Sequence, residues 1–397
     1  MPLNSGRTVK DLIKEAKYYS SIAVDLALYS LASGSKIAAM EVLQIEERID
    51  QVVRELVAKA SLSVRGPDQA GLAIAIAEIA RAFDRITDAA GDLAGLVIRD
   101  YPIHRYVRSV VNCCGEIISL IRSSRSVSEL DGNVDILLVR RGDNYILAPR
   151  EEKILEGDLL VVRGTPEEVL QVARQLEEPG DRTPLGSSQL VSAALAGDEL
   201  AAGLLKLKNM SRLMLEISFH ALIYVDRSLA TLIQDLESGI DNLYLEVLED
   251  SYASTIPARA KESISISIFA TALETLADAA VFIARIASSP EYEEYSEFLG
   301  EAVEEAEEGY TRLKVTSKLD GVPLRNLNLA DLGVEVLAAK RGSAWILPVP
   351  QDYVLKEGDV LLVKYFKEAG VEEPEDEAEM LASLDEKGFQ ELEEIEE

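Results

Sequence analysis

The chain repeats itself. Ser20–Asp50 (SSIAVDLALYSLASGSKIAAMEVLQIEERID) lies over Ser211–Asp241 (SRLMLEISFHALIYVDRSLATLIQDLESGID) at an offset of 191, and Ala82–Ala94 lies over Ala272–Ala284 at 190. Gly115 falls on Gly309 at 194, Val134–Leu147 on Val334–Leu347 at 200, and Gly157 on Gly358 at 201 within LEGDLLVV and KEGDVLLV. Offsets that grow slowly and in order describe one ancestral unit duplicated, with small differences in loop length. Whatever the unit folds into, the chain must contain it twice. Its 397 residues leave room for two to four domains with buried cores.

Each unit joins two periodicities. Leu12, Ala16, Tyr19, Ala23, Leu26 and Ser30 recur at helical spacing, after a Thr8/Asp11 pair that resembles a capping box. The Ser33-Gly34-Ser35 break separates this stripe from Ala39, Val42, Ile45, Ile49, Val52 and Leu56. A third helix is expected between Gly66-Pro67-Asp68 and Tyr101-Pro102, giving a three-helix bundle. The second half of the unit reads as strands at 117–122, 134–141, 144–148 and 159–163, with tight turns at Gly142 and Gly157 and a helix start at Thr165-Pro166. The Arg141-Gly142-Asp143 tripeptide is a hairpin turn and not an adhesion motif, because its partner in the second unit is Arg341-Gly342-Ser343.

Composition narrows the function. Forty basic residues against seventy acidic ones give a formal charge of −30, which speaks against a nucleic-acid role resting on phosphate neutralisation. Val371–Glu397 holds thirteen acids and one base, so −12 of that charge sits in an acidic tail, read as a solvated segment or a docking segment for a basic partner. The longest run free of polar residues, Ala70–Ala77, is far short of the ~20 residues of a membrane span, and no secretory signal is expected. Cys113 and Cys114 are adjacent, which suggests a reducing interior and packing roles. His220 falls opposite Tyr29 on an apolar face and reads as a core residue; Trp345 and Tyr145 read as packing aromatics. There is no phosphate-binding loop, nucleophile elbow or dinucleotide fingerprint, so no enzyme is expected.

The helical parts resemble PhoU domains, through VDLALYSL (Val24–Leu31) and ITDAAGDLA (Ile86–Ala94). The strand-rich parts resemble TrkA-C domains, the C-terminal lobe of regulatory assemblies on potassium channels and transporters, through Val139–Gly164 and Ala339–Val363. The resemblance implies an α+β multidomain chain: two PhoU-like three-helix bundles alternating with two small β-rich TrkA-C-like modules. The divisions expected are 8–114, 115–178, a linker at 179–196, 197–308, 309–368 and an acidic tail at 369–397. Twelve residues run from Arg122 to Val134 where eighteen run from Thr316 to Val334, so the first module is expected to have lost part of its opening strand and the turn matching Leu319–Leu327. The resemblance further implies a cytoplasmic regulator of cation transport, potassium above all, docking on a membrane channel or transporter. It also implies pairing of TrkA-C modules across a two-fold axis, either as a homodimer or between the two internal copies.

Two residue sets are the candidate sites. Glu46/Asp50 and Asp84/Asp88 are acid pairs at i, i+4, repeated as Glu237/Asp241 and Glu274/Asp278; Asp25 and Glu216 add one acid to each first helix. Like charges at this spacing repel, so their recurrence asks for a reason, although solvated faces of an acidic chain produce such pairs too. PhoU domains hold metal clusters with such patterns, which implies a divalent or ferric ion; the alternative function is a metal sensor acting with a divalent-cation permease or alone. The second set is Arg140-Arg141 and Lys340-Arg341, two bases at each hairpin turn, a candidate anion site. TrkA-C domains bind cyclic dinucleotides, which implies a nucleotide ligand there.

Overall fold

The stripe after Thr8 forms helix α1 (Val9–Ser33) in the computed structural model. Thr8 accepts the Asp11 N–H while the Asp11 carboxylate accepts the Thr8 N–H, closing the capping box, and Gly34 ends the helix in the left-handed region. Helices α2 (Lys36–Ser63), α3 (Ala70–Ile98) and the short α4 (Arg105–Val111) follow. All twelve residues of the first two stripes are buried. The second unit repeats the plan as α6 (Glu199–Ile223), α7 (Arg227–Ala253), α8 (Ala260–Ser288) and α9 (Glu293–Glu304), while α5 (Pro166–Leu176) closes the first unit. The structure describes residues 6–64, 66, 70–111, 117–127, 130, 134–142, 144–147, 153–164, 166–176, 198–253, 260–304, 308–327, 329, 334–342, 344–346, 349–350 and 352–366. Cys113 and Cys114, the 179–196 linker and the acidic tail lie outside the described residues.

Each unit carries a four-stranded antiparallel sheet. Strands β1 (Ile117–Arg122), β2 (Asp135–Arg141), β3 (Asn144–Leu147) and β4 (Leu159–Gly164) are ordered β1-β4-β2-β3. Strands β5 (Glu308–Lys314), β6 (Val334–Arg341), β7 (Ala344–Ile346) and β8 (Val360–Phe366) repeat that order. The central strands bulge at equivalent places, Ile136/Leu138 and Val336/Ala338. The bulge turns Leu137 and Leu337 into the helical bundle, where with Leu138, Val161, Ala338 and Leu362 they join one hydrophobic core. Each sheet thus shares its inner face with its own bundle. Tyr18 of α1 donates its hydroxyl to the Leu137 carbonyl at the bulge.

The outer faces are covered differently. Strand β1 is present, paired with β4 from Ile117 to Arg122. The first unit has, among its described residues, no counterpart of the pair of 3-10 turns, Ser317–Leu319 and Leu324–Leu327, that the second unit places between β5 and β6. There Leu319, Leu324 and Leu327 cover the sheet. In the first unit Val169, Val172, Ala173 and Leu176 of α5 do so. One sheet face needs one apolar cover, and either side of the chain can supply it.

The two units meet through their helices. Helix α3 packs on α8, and α4 and α9 bridge to the opposite first helix, α6 and α1 respectively. Phe83 of α3 stacks on Phe219 of α6 with ring centroids 6.2 Å apart. No strand of one sheet pairs with a strand of the other among the described residues. The two internal copies therefore meet through their bundles, whose α3 and α8 are the most apolar helices, and not by strand pairing among the described residues. Helix α8 alone among the described helices is long and apolar enough to cross a membrane, but most of that stretch is buried against α6, α7 and α3.

Candidate functional site

The acid pairs of α2 and α3 face one another across a groove. Antiparallel neighbours bring Glu46 and Asp50 opposite Asp88 and Asp84, with Asp92 one turn on. Burial raises the proton affinity of Glu46, and Asp88, Asp50, Asp92 and Asp84 raise it further. Asp84 is pushed up by burial and by Asp50, and Asp88 by burial and then by Asp84, Asp50 and Asp92. Gly91 lies against Glu46: a Cβ there would overlap the Glu46 carboxylate as it stands, and that flexible side chain would have to shift. Sequence reasoning missed this residue, although its counterpart Val281 was a visible difference inside the best-matched segment. Among the five acids, Asp50 has an ion pair in the described residues, with Arg54 at 3.2 Å.

The second groove is the same plan with its charge partly answered. Glu237 and Glu274 are raised by burial first and by Asp278 and Asp241 next. Arg85 crosses from the first bundle to Asp278 at 3.1 Å, and Arg285 stands near Glu237. Both arginines lie over the Phe282 ring, at 5.1 and 5.3 Å. Asp25 and Glu216 are not brought to either groove. Asp25 pairs with Arg212 of α6 at 3.1 Å and Glu216 with the buried Lys364 of β8 at 2.9 Å. Among the described residues no three His, Cys, Asp or Glu side chains converge at metal-ligand distance. The donor chemistry of the first groove, all carboxylate oxygen, nonetheless suits a hard cation.

The groove sets a pH dependence. Groups whose proton affinity rises on folding stabilise the fold below the usual carboxylate range and lose that contribution as pH climbs through their raised values. Lowering the pH from 7 towards 5 is therefore expected to raise the thermal midpoint, and Asp88→Asn to raise it at pH 7 while flattening the curve. Thermal unfolding across that pH range checks it; a midpoint that falls steadily on acidification contradicts it.

The basic hairpin residues each have a partner within the chain. Arg141 forks onto Asp158, Nε to Oδ1 at 3.0 Å and Nη2 to Oδ2 at 2.9 Å, and also donates to the Lys153 carbonyl. Arg341 repeats this on Asp359 at 2.9 and 2.7 Å and donates to the Val354 carbonyl. Each aspartate follows a glycine at positive φ, Gly157 at 91° and Gly358 at 87°, and also accepts a backbone N–H, from Leu155 or Lys356. Tyr353 donates its hydroxyl to Asp359, and burial with that bond pushes the phenol up to about 12. The hydrogen bonds from Arg341 hold Asp359 below the usual carboxylate range; at Asp158, burial pushes the other way and the Arg141 contacts prevail. Arg140 reaches the buried Glu41 at 3.1 Å and Gln44 at 2.6 Å on α2, while Lys340 lies 4.9 Å over Trp345. Arg140 thus ties its hairpin to the bundle, while Arg141, Arg341 and Lys340 are engaged within their own modules.

Models of known families match on both halves of each unit. The TrkA-C domain model matches residues 123–177 and 311–368, and the PhoU domain model matches 13–97 and 204–287. Among solved structures, the crystal structure of PhoU from Pseudomonas aeruginosa is similar over 70% of this chain and 93% of its own, at 15% identity and a TM-score of 0.39. The GsuK RCK domain is similar over 68% of this chain at 12% identity and a TM-score of 0.17. The GsuK channel bound to NAD is similar over 73% at 13% identity and a TM-score of 0.16. The chain spans 63% and 64% of the length of those two. No curated protein gives a match.

Proposed function

We propose that this tandem PhoU–TrkA-C protein is a cytoplasmic regulatory subunit of cation transport, potassium in the first place, that docks on a membrane channel or transporter. Both domain families are regulatory. The observation that carries the reading is the shared core of each sheet and its bundle, through Leu137 and Leu337. A ligand that prefers one arrangement of a sheet must then shift the helices beneath it, because the two cannot move apart without opening that core. No catalytic step is part of the proposal. Deleting the protein is expected to change potassium uptake at limiting external potassium, and the full chain is expected to co-purify with a membrane transport protein. Unchanged uptake of potassium and of divalent cations, with no membrane partner, sinks it.

A second reading has its own support in the first groove. The room that Gly91 leaves for Glu46, and the mutual repulsion of Glu46, Asp50, Asp84 and Asp88, favour a metal-sensing role at that place. The pH titration of stability repeated with Mn2+ or Mg2+ decides it. Stabilisation that appears only as the carboxylates ionise, and that Glu46→Gln removes, supports metal; stabilisation independent of Glu46 argues against it.

A further inference from the structure

The duplication supplies an internal control for the surface of α2. Its first turns expose Ile37, Met40 and Leu43, at 50%, 55% and 38%. These three residues lead directly into the acidic groove of Glu46, Asp50, Asp84 and Asp88. The equivalent positions of α7 are Ser228, Thr231 and Gln234, the ordinary polar surface of a bundle helix. Two copies of one helix therefore differ in an exposed apolar stripe, flanked at Glu41 and Gln44 by Arg140 of β2. Exposed apolar side chains at successive turns beside like charges stabilise nothing in the isolated chain.

We propose that this face of α2 and α3 docks a basic amphipathic helix of a membrane transport protein, its apolar residues on Ile37, Met40 and Leu43 and its Lys or Arg on Glu46, Asp84 and Asp88. The proposal rests on the regulatory reading above and names the partner segment it requires. Charge complementarity selects this occupant: cytoplasmic loops of membrane proteins carry an excess of Lys and Arg, and an excess of acid one turn from an apolar stripe is its counterpart. The second bundle is not equivalent, since Arg85 already answers Asp278 and the stripe is absent.

The test uses the purified full chain and a synthetic helical peptide of Leu and Lys at amphipathic spacing, without divalent ions, which would compete for the same carboxylates. The triple variant Ile37→Ser, Met40→Thr, Leu43→Gln installs the second unit's own residues at exposed positions, so folding is retained. Binding by wild type is expected to weaken roughly ten-fold or more in the triple variant. Glu46→Gln with Asp88→Asn is expected to weaken it and to flatten its salt dependence. Leu245→Ser with Tyr252→Ser, exposed apolar residues of α7, is expected to leave it within about two-fold. Absent binding by wild type, or equal binding by the triple variant, overturns the proposal. So does a wild-type dimer that the triple variant turns into a monomer, which would make the occupant a second copy. Because the peptide measurement involves no transport, a deletion strain with normal uptake removes the regulatory reading without deciding this one.

Discussion

Asp359→Ala is expected to destabilise the second sheet by about 3 kcal/mol, and Asp158→Ala to do the same to the first. The Asp359 carboxylate is buried and takes both arms of the Arg341 fork, the Tyr353 hydroxyl and the Lys356 N–H. Removing it leaves the tyrosine hydroxyl and one backbone donor without their acceptor, and a half-exposed guanidinium without its counter-charge. Arg341→Lys is expected to cost less, since an ammonium keeps the charge but not the fork. Hydrogen exchange should locate the loss in β6 and β8, the strands the pair ties together. A loss below about 1 kcal/mol, within the range of an exposed ion pair, would contradict a structural role and return Arg341 to the solvent. The acid side has the opposite sign from the groove. Asp359 and Asp158 stabilise the fold at neutral pH and lose that contribution as pH falls below the usual carboxylate range. Acidification should first stabilise the chain through Glu46, Asp84 and Asp88, then destabilise it through the two turn aspartates.

That pairing was legible in the sequence to a degree, and the reason shows where reading a chain stops. Arg141/Arg341 and Asp158/Asp359 recur at offsets of 200 and 201, so base and acid are kept together through the duplication. Read separately, the bases suggested an anion site and the acid only a turn; the partnership was the information. The helices were legible because burial writes a period into the chain, and the stripe from Leu12 to Ser30 is buried throughout. The acid pairs were visible as i, i+4 repeats, and the PhoU resemblance, not their spacing, implied that they share a place. For Asp25 and Glu216 a helix position fixes a face, but what covers that face comes from far along the chain, Arg212 for one and Lys364 for the other. Nothing local marks α3 as the helix that meets α8, or says that α5 replaces two 3-10 turns over the sheet. Those arrangements are chosen by which apolar surfaces remain after each element has formed.

The meeting of α3 with the second unit makes the largest prediction for the helical part. Phe83→Ala and Phe219→Ala are each expected to cost about 3–5 kcal/mol, since both rings are buried and each leaves a cavity at the junction of the bundles. Their stacking at 6.2 Å predicts that the double variant costs less than the sum by about 1 kcal/mol. The Lys17 ammonium lies 5.7 Å over the Phe219 ring, so the second unit's aromatic also receives a cation from the first. If the bundles act as one body, either variant should lower a single unfolding transition seen equally by probes in both units. Two separated transitions, with Phe219→Ala moving only the later half of the chain, would show independent bundles. The distinction bears directly on regulation. With one cooperative body, a ligand on either sheet strains its own bundle through Leu137 or Leu337 and then the other across Phe83 and Phe219. Two sheets with no pairing among the described residues can then still be coupled, because the path between them runs through the helices.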